Sequence, residues 1–356
     1  MINDTEGDEA VPRIRTEPGP RIHTNNFDVL RLVFAACVIV SHAFAVTGNV
    51  EPVIWGRTLG NVGVHGFFVI SGYLIAQSFL RSRTLIEYTG SRALRIVPGL
   101  AVALAFAAAA AAIFHQYAAN PVPDLIDAPV WTLTWEVVCY ALVAVLGIIG
   151  ALDSAAFPAF LAAAWVVFLA NISSLADFVL VIVPLLLMFG AGVLLATRPP
   201  RVRLGILAIA GGIGLLVTAY YPVFSWLLSP VQHVVPFAFG PVVTTEQVHR
   251  VIYLVSFPLV VIWVGRLRRP GIRLRNDLSY GAYIYGWPVA QVAVASAAHF
   301  GITLVPWSVL MLTVVGTVPL AYLSWRFVEH PSLRLKRWLW GRPVKAEDEG
   351  AAPVLF

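Results

Sequence analysis

The sequence predicts an all-α fold: a polytopic transmembrane helical bundle of about ten spans with both termini cytoplasmic. Three observations carry this expectation. The 356 residues are 59% hydrophobic and only 12% charged, with a mean hydropathy of +0.80, far from the balance of a soluble domain. Ten stretches are apolar enough to span, beginning near Phe27, Gly60, Leu94, Ala128, Ala155, Leu175, Arg203, Val248, Leu278 and Thr303, the fifth of them short. If the amino terminus is cytoplasmic and each stretch crosses once, all of the 24 Lys and Arg residues except Arg57 and Arg250 fall on the inner side. That layout reads the net charge of +5 as topology and excludes a nucleic-acid partner; the partner of this surface is a lipid bilayer.

Residues 1–26 are polar and carry Glu6, Asp8, Glu9 and three arginines, unlike the short basic start of a signal peptide, and are expected to form a disordered cytoplasmic tail. Residues 27–332 form one transmembrane domain, and 333–356 a cytoplasmic C-terminal tail. The longest gap, Tyr221 to Thr245, is rich in proline and aromatic residues and leaves no room for a soluble domain, so function resides in the bundle and its loops. Cys37 and Cys139 fall inside apolar stretches and act as small hydrophobic groups.

The first span holds the most informative pair, Arg31 near its start and His42 about 16 Å further along a helix. Ionisable groups are costly in a bilayer and mark candidate reactive centres or ion paths. In the second span His65 lies near the outer end and Ser71 near mid-depth. The third opens with Arg92 and Arg95, whose spacing of three puts both guanidinium groups on one helical face. With Arg31 they could grip phosphates bidentately, or simply meet anionic headgroups.

The fourth span opens WTLTWE, placing Glu136 about 12 Å below the outer boundary, at a depth comparable to His42 and His65. Two imidazoles and a carboxylate would make an acid/base set, or alternatively polar ties between helices. The fifth to eighth spans carry no comparable cluster. The ninth, SYGAYIYGWPV, has an internal proline that frees a backbone carbonyl, and tyrosines such as Tyr283 that could line a cavity or pack. The tenth closes with SWRFVEHP, where Glu329 is expected to pair with Arg326 or with the arginine-rich loops.

These segments resemble the acyltransferase-3 family of bacterial integral membrane acyltransferases. Arg31 and His42 fit its first-helix pair, FFVISG from Phe67 to Gly72 its second-helix signature, and Arg92 with Arg95 its paired arginines. WTLTWE looks like its Trp-Ser-Leu-x-x-Glu element and RFVEHP like its closing Arg-Phe-x-Glu-x-Pro. Two positions depart from the pattern: Gly286 stands where the family carries a histidine, and His65 where it often carries aspartate or a small polar residue.

The resemblance implies a multi-pass protein of the bacterial cytoplasmic (inner) membrane that modifies cell-envelope polysaccharide or secreted acceptors by O-acylation. Acyl-CoA, with acetyl-CoA the smallest donor, would enter from the cytoplasm, held by Arg31, Arg92 and Arg95. A hydroxyl of a carbohydrate, glycolipid or small-molecule acceptor would meet it near His42, acting as catalytic base or acyl relay, and Glu136. His65, Ser71, Trp131 and Tyr283 are the expected substrate contacts, and no metal is called for. The rival expectation is a proton-coupled secondary transporter that uses His42 and Glu136 as a relay.

Overall fold

The computed structural model describes residues 26–340 apart from 115–116, 119, 124, 172–174, 201–202, 220–222, 224–225, 227–244 and 268–275. Residues 1–25 and 341–356 of the expected tails, most of the Tyr221–Thr245 gap and residues 268–275 therefore lie outside the described residues. Helices form at each of the ten expected positions. They are α1 (Phe27–Ala45), α2 (Leu59–Arg81), α3 (Leu85–Ile113), α4 (Val130–Ile148), α5 (Ala156–Asn171), α6 (Asp177–Thr197), α7 (Leu204–Ala219), α8 (Thr245–Arg266), α9 (Ser279–His299) and α10 (Pro306–Ser324). A π-helical turn, Trp325–Glu329, leads from α10 into a further helix, α11 (His330–Trp340), so residues 333–340, expected as the start of a tail, are helical. Between α1 and α2 a two-stranded antiparallel hairpin pairs β1 (Val53–Ile54) with β2 (Arg57–Thr58).

Among the described residues seven helices are long and apolar enough to cross a membrane, which makes the chain a multi-pass membrane protein. Three of the ten expected spans are not among them. The described parts of α5 and α7 have 16 residues each, about 24 Å of helix against a hydrocarbon core of about 30 Å, and each ends against residues outside the described ones. Helix α9 has 21 residues but carries tyrosines, glycines and Gln291, which lower its hydropathy. It tolerates them because protein surrounds it: Gln291 is fully buried, and its amide donates to the carbonyls of Val122 (2.7 Å) and Leu125 (3.2 Å).

Local signals set the helix starts that matter for the site. Thr84 caps α3 by accepting from the Glu87 amide at 3.1 Å, while the Glu87 carboxylate reaches back to the Arg83 amide at 2.9 Å. Thr58 caps α2 by accepting from the Asn61 amide. Helix α2 is the centre of the bundle, packed against α1, α4, α6 and α8, and α9 packs against α1, α3 and α10.

Association of apolar helices in lipid relies on close packing, because lipid tails are as apolar as leucine. Gly72 of α2 and Gly192 of α6 permit the closest approach: a Cβ at Gly72 would overlap the Phe189 carbonyl, and one at Gly192 the Val69 carbonyl. Backbone cannot yield as a side-chain tip can. Leucine at either position is therefore expected to cost about 1–3 kcal/mol of stability by overpacking. Gly212→Ala on α7, where the nearest atom lies 4.0 Å from an added Cβ, should be neutral or stabilising. Thermal unfolding of the purified protein in nanodiscs measures both, and equal midpoints for the α2 and α7 variants would contradict this packing.

Candidate functional site

A cleft of about 850 Å³, open solvent at its mouth included, is walled by α1, α2, α3, α4 and α9. Arg31, Arg92 and Arg95 line one end, Ser71, Glu136 and Tyr140 its middle, and Val64, Phe67, Thr132 and Tyr283 the other end. Among the expected site residues, six thus share one cavity: Arg31, Ser71, Arg92, Arg95, Glu136 and Tyr283.

At the arginine end one carboxylate organises two cations. Asp277 Oδ2 accepts from Arg95 Nη2 at 3.0 Å and lies 3.5 Å from Arg31 Nη1, and Arg31 also pairs with Asp28 one turn earlier on α1. Asp277 is itself held by a turn in which Oδ1 accepts from the Ser279 hydroxyl (2.6 Å) and amide (3.3 Å) at the start of α9. Burial alone would raise the Asp277 carboxyl. The guanidinium groups of Arg31 and Arg95 and the Ser279 hydroxyl outweigh burial and hold it well below the usual carboxylate range. Arg92, one turn before Arg95 on α3, is buried and donates to the Ser78 hydroxyl at 2.9 Å.

In the middle of the cleft Glu136 Oε1 accepts from the Ser71 hydroxyl at 2.7 Å and from the hydroxyl of Tyr140, one turn further along α4. The Tyr140 carbonyl accepts from the Tyr88 hydroxyl at 3.0 Å, tying α4 to α3. Across the cleft, the Tyr280 hydroxyl donates to the Ile96 carbonyl at 2.9 Å, and Gly99 admits the tyrosine ring, which would lie 2.7 Å from an added Cβ. At the far end the Tyr283 and Thr132 hydroxyls are 2.6 Å apart, and the Phe67 and Tyr283 rings meet edge to face at 5.1 Å.

His42 does not line this cleft. Its ring meets Trp287 edge to face at 4.9 Å, and its Nδ1 is buried without a hydrogen-bond partner among the described residues. Trp287 lies one turn beyond Tyr283 on the same face of α9, so about 6 Å of helix separates the end of the cleft from the imidazole's contact. Gly286 faces α1, where an added Cβ would lie 3.0 Å from Ile39 Cγ1, one turn before His42.

His65 does not converge with His42 and Glu136. It is buried, with Nδ1 2.9 Å from the Tyr253 hydroxyl on α8, and Arg57 lies 5.0 Å over the Tyr253 ring. Trp131 is 40% exposed and turned out of the bundle. Glu329 was expected to pair with Arg326 or with the arginine-rich loops; the π-helical turn directs it inward, where it accepts from the Ser324 hydroxyl at 3.0 Å, while Arg326 stays exposed and loop residues 268–275 lie outside the described residues.

Asp277, Tyr140, Ser78 and Tyr280 went unread in the sequence. The spacing of four between Glu136 and Tyr140, and the Asp-Leu-Ser turn before α9, were the available signals. Asp127, in the segment before α4, also stands out: both carboxylate oxygens are buried without partners, and burial pushes the group up to about 7.

The sign of the Asp277 effect follows from its depressed folded value. Its contribution is complete above the unfolded value of about 4 and is lost as pH falls toward the lower folded value. Asp277→Asn leaves Arg31 and Arg95 without their shared counter-charge and is expected to cost about 3 kcal/mol. Melting curves across pH 3–8 are the check: the variant should melt earlier at neutral pH, and the gap to wild type should narrow on acidification. A gap that widens would refute the assigned sign.

The family model for an acyltransferase domain matches residues 24–326. The chain is 29% identical over 338 residues to an O-acetyl transferase of Shigella phage Sf6, covering 86% of this chain and 95% of that protein. It is 28% identical over 370 residues to Nodulation protein 10 of Rhizobium leguminosarum bv. viciae, covering 90% and 96%. No solved structure matches.

Proposed function

The chain belongs to the acyltransferase-domain family, and from that premise we propose that it is an integral membrane O-acyltransferase drawing on acyl-CoA in the cytoplasm. The acyl group is acetyl, by analogy with the O-acetyl transferase of the phage. The acceptor is a hydroxyl of an extracytoplasmic carbohydrate, glycolipid or small molecule, and the membrane is the bacterial cytoplasmic membrane, with both termini inside.

One observation carries this reading: a single cleft has guanidinium groups at one end and a hydroxyl-bound carboxylate in its middle. The donor's thioester arm is uncharged and can enter between apolar walls, whereas its phosphates need cations and stay at the arginine end. Arg92 is the cation there with the least competition, since Arg31 and Arg95 share Asp277.

In the proposed reaction His42 removes the proton of the acceptor hydroxyl, and the oxygen attacks the thioester carbonyl carbon. The tetrahedral intermediate collapses with cleavage of the C–S bond, and the imidazolium returns its proton to the departing thiolate. The buried, unpartnered Nδ1 of His42 supports this role, because an imidazole nitrogen left without a partner can accept from a ligand. Phe67 and Tyr283 stand between the cleft and Trp287, and they separate donor from acceptor until both are bound. Glu136, fixed by the Ser71 and Tyr140 hydroxyls that donate to it, keeps the middle of the cleft polar beside the thioester. The transporter reading has no comparable support, since both named relatives and the matched family fail to point to it and one relative is a transferase.

His42→Ala is expected to lower acyl transfer about 10²- to 10⁴-fold, the usual range for a lost general base, with expression and melting temperature unchanged. Radiolabelled acetyl transfer in membranes, with acceptor uptake followed in parallel, reads this out. Wild-type turnover in the variant would remove the imidazole from the mechanism, and uptake without transfer would reinstate transport. Tyr140→Phe should cost much less, about tenfold or under, because Ser71 continues to hold Glu136.

A further inference from the structure

A second concavity, about 740 Å³ of largely open space, lies at the junction of α10 and α11 and is lined by Asn276, Tyr322, Trp325, Arg326, His330 and Arg334. Tyr322, Arg326, His330 and Arg334 recur every fourth residue and share one face of the helical rod. The π-helical turn Trp325–Glu329 adds Trp325 to that face, its ring stacked on His330 at 4.9 Å and 23°. The Trp325 Nε1 donor is buried without a partner. Single π-helical turns inside α-helical rods recur at binding sites.

The groove adjoins the segment that builds the arginine end of the cleft. Asn276 lines the groove, and its neighbour Asp277 holds Arg31 and Arg95, which line the cleft. With Ser279 lining the cleft, the chain segment that opens α9 borders both spaces.

We propose that this groove holds the nucleotide of the acyl-CoA donor, a deepening of the function proposed above that rests on that donor assignment. The base extends the Trp325–His330 stack from the Trp325 side, and Arg326 and Arg334 take the phosphates. The charge balance is the reason. The nucleotide end of coenzyme A carries three phosphate groups, which cannot be desolvated in the apolar cleft without cations to match them. Inside the cleft Arg31 and Arg95 are already matched by Asp28 and Asp277, which leaves Arg92 as a single cation for three phosphate groups. Arg326 and Arg334 are exposed, and among the described residues neither meets a carboxylate. A flat array of cations would suit a lipid headgroup equally well; a concave groove that holds a stacked pair of rings beside its cations suits a planar base with phosphates attached.

The test compares coenzyme A, pantetheine and adenosine 3′,5′-bisphosphate as calorimetric probes of the full chain in phosphatidylcholine nanodiscs, with and without added phosphatidylglycerol. Wild type should bind coenzyme A more tightly than pantetheine and should bind the bisphosphate alone. Arg326→Gln with Arg334→Gln should weaken coenzyme A and the bisphosphate by about tenfold or more, leaving pantetheine affinity as the evidence of an intact cleft. Trp325→Leu should weaken the bisphosphate but not inorganic pyrophosphate. Unchanged coenzyme A affinity in the double variant overturns the groove assignment while the donor reading stands. Loss confined to phosphatidylglycerol enrichment around the protein, with coenzyme A affinity kept, makes the groove a headgroup site and also overturns it. Failure of wild type to bind either coenzyme A or pantetheine removes the donor reading itself.

Discussion

The Asp277 carboxylate is the interaction on which the site depends. It sits at the start of α9 and draws Arg31 of α1 and Arg95 of α3 to one point, so three helices distant in sequence are joined by one buried negative charge. Guanidinium groups this enclosed need a counter-charge close by, because desolvation otherwise exceeds what packing returns. Once Asp277 is in place the arginine end of the cleft has a defined shape, and Arg92 joins it through the Ser78 hydroxyl, among the described residues without a carboxylate partner.

A gradient of polarity follows from that anchor. The cleft passes from guanidinium groups, through a carboxylate held by two hydroxyls, to an aromatic pair that ends beneath Trp287 and His42. Cations, a carboxylate fixed by hydroxyls and an aromatic end thus follow one another along a single space. The imidazole lies beyond the aromatic pair rather than in the cleft, which fits a reaction whose two substrates arrive from opposite ends.

The scaffold that holds these groups is made by close backbone contact more than by large side chains. Gly72 and Gly192 let α2 and α6 touch, and α2 can then serve as the central post that carries Ser71 to Glu136. Ser71 and Gly72 are neighbours in sequence but face different partners. The same segment therefore provides a packing surface on one side and a catalytic-cleft wall on the other.

The positions of the helices were legible from hydropathy alone, because an apolar stretch in this composition has no other way to satisfy its backbone than to form a helix. The spacing of Arg92 and Arg95 placed both on one face of α3, and with Arg31 they line one cleft, whereas His42 lies outside it. Sequence could not say which polar groups meet. His65 read as a partner of His42, yet α8 supplies Tyr253 to it instead; Trp131 read as a substrate contact, yet the rotation of α4 turns it outward; Glu329 read as an ion-pair partner, yet a π-helical turn rotates it into the core. Periodicity fixes a residue's place on its own helix, whereas the rotation of one helix against the next is set by packing between distant segments. The sequence by itself therefore determined that this is a helical membrane protein with charged groups on particular helices. Only the tertiary structure decided that Asp277 gathers Arg31 and Arg95, that Ser71 and Tyr140 hold Glu136, and that His42 stands apart against Trp287, since each of those contacts joins residues on separate helices or depends on which face a helix turns inward.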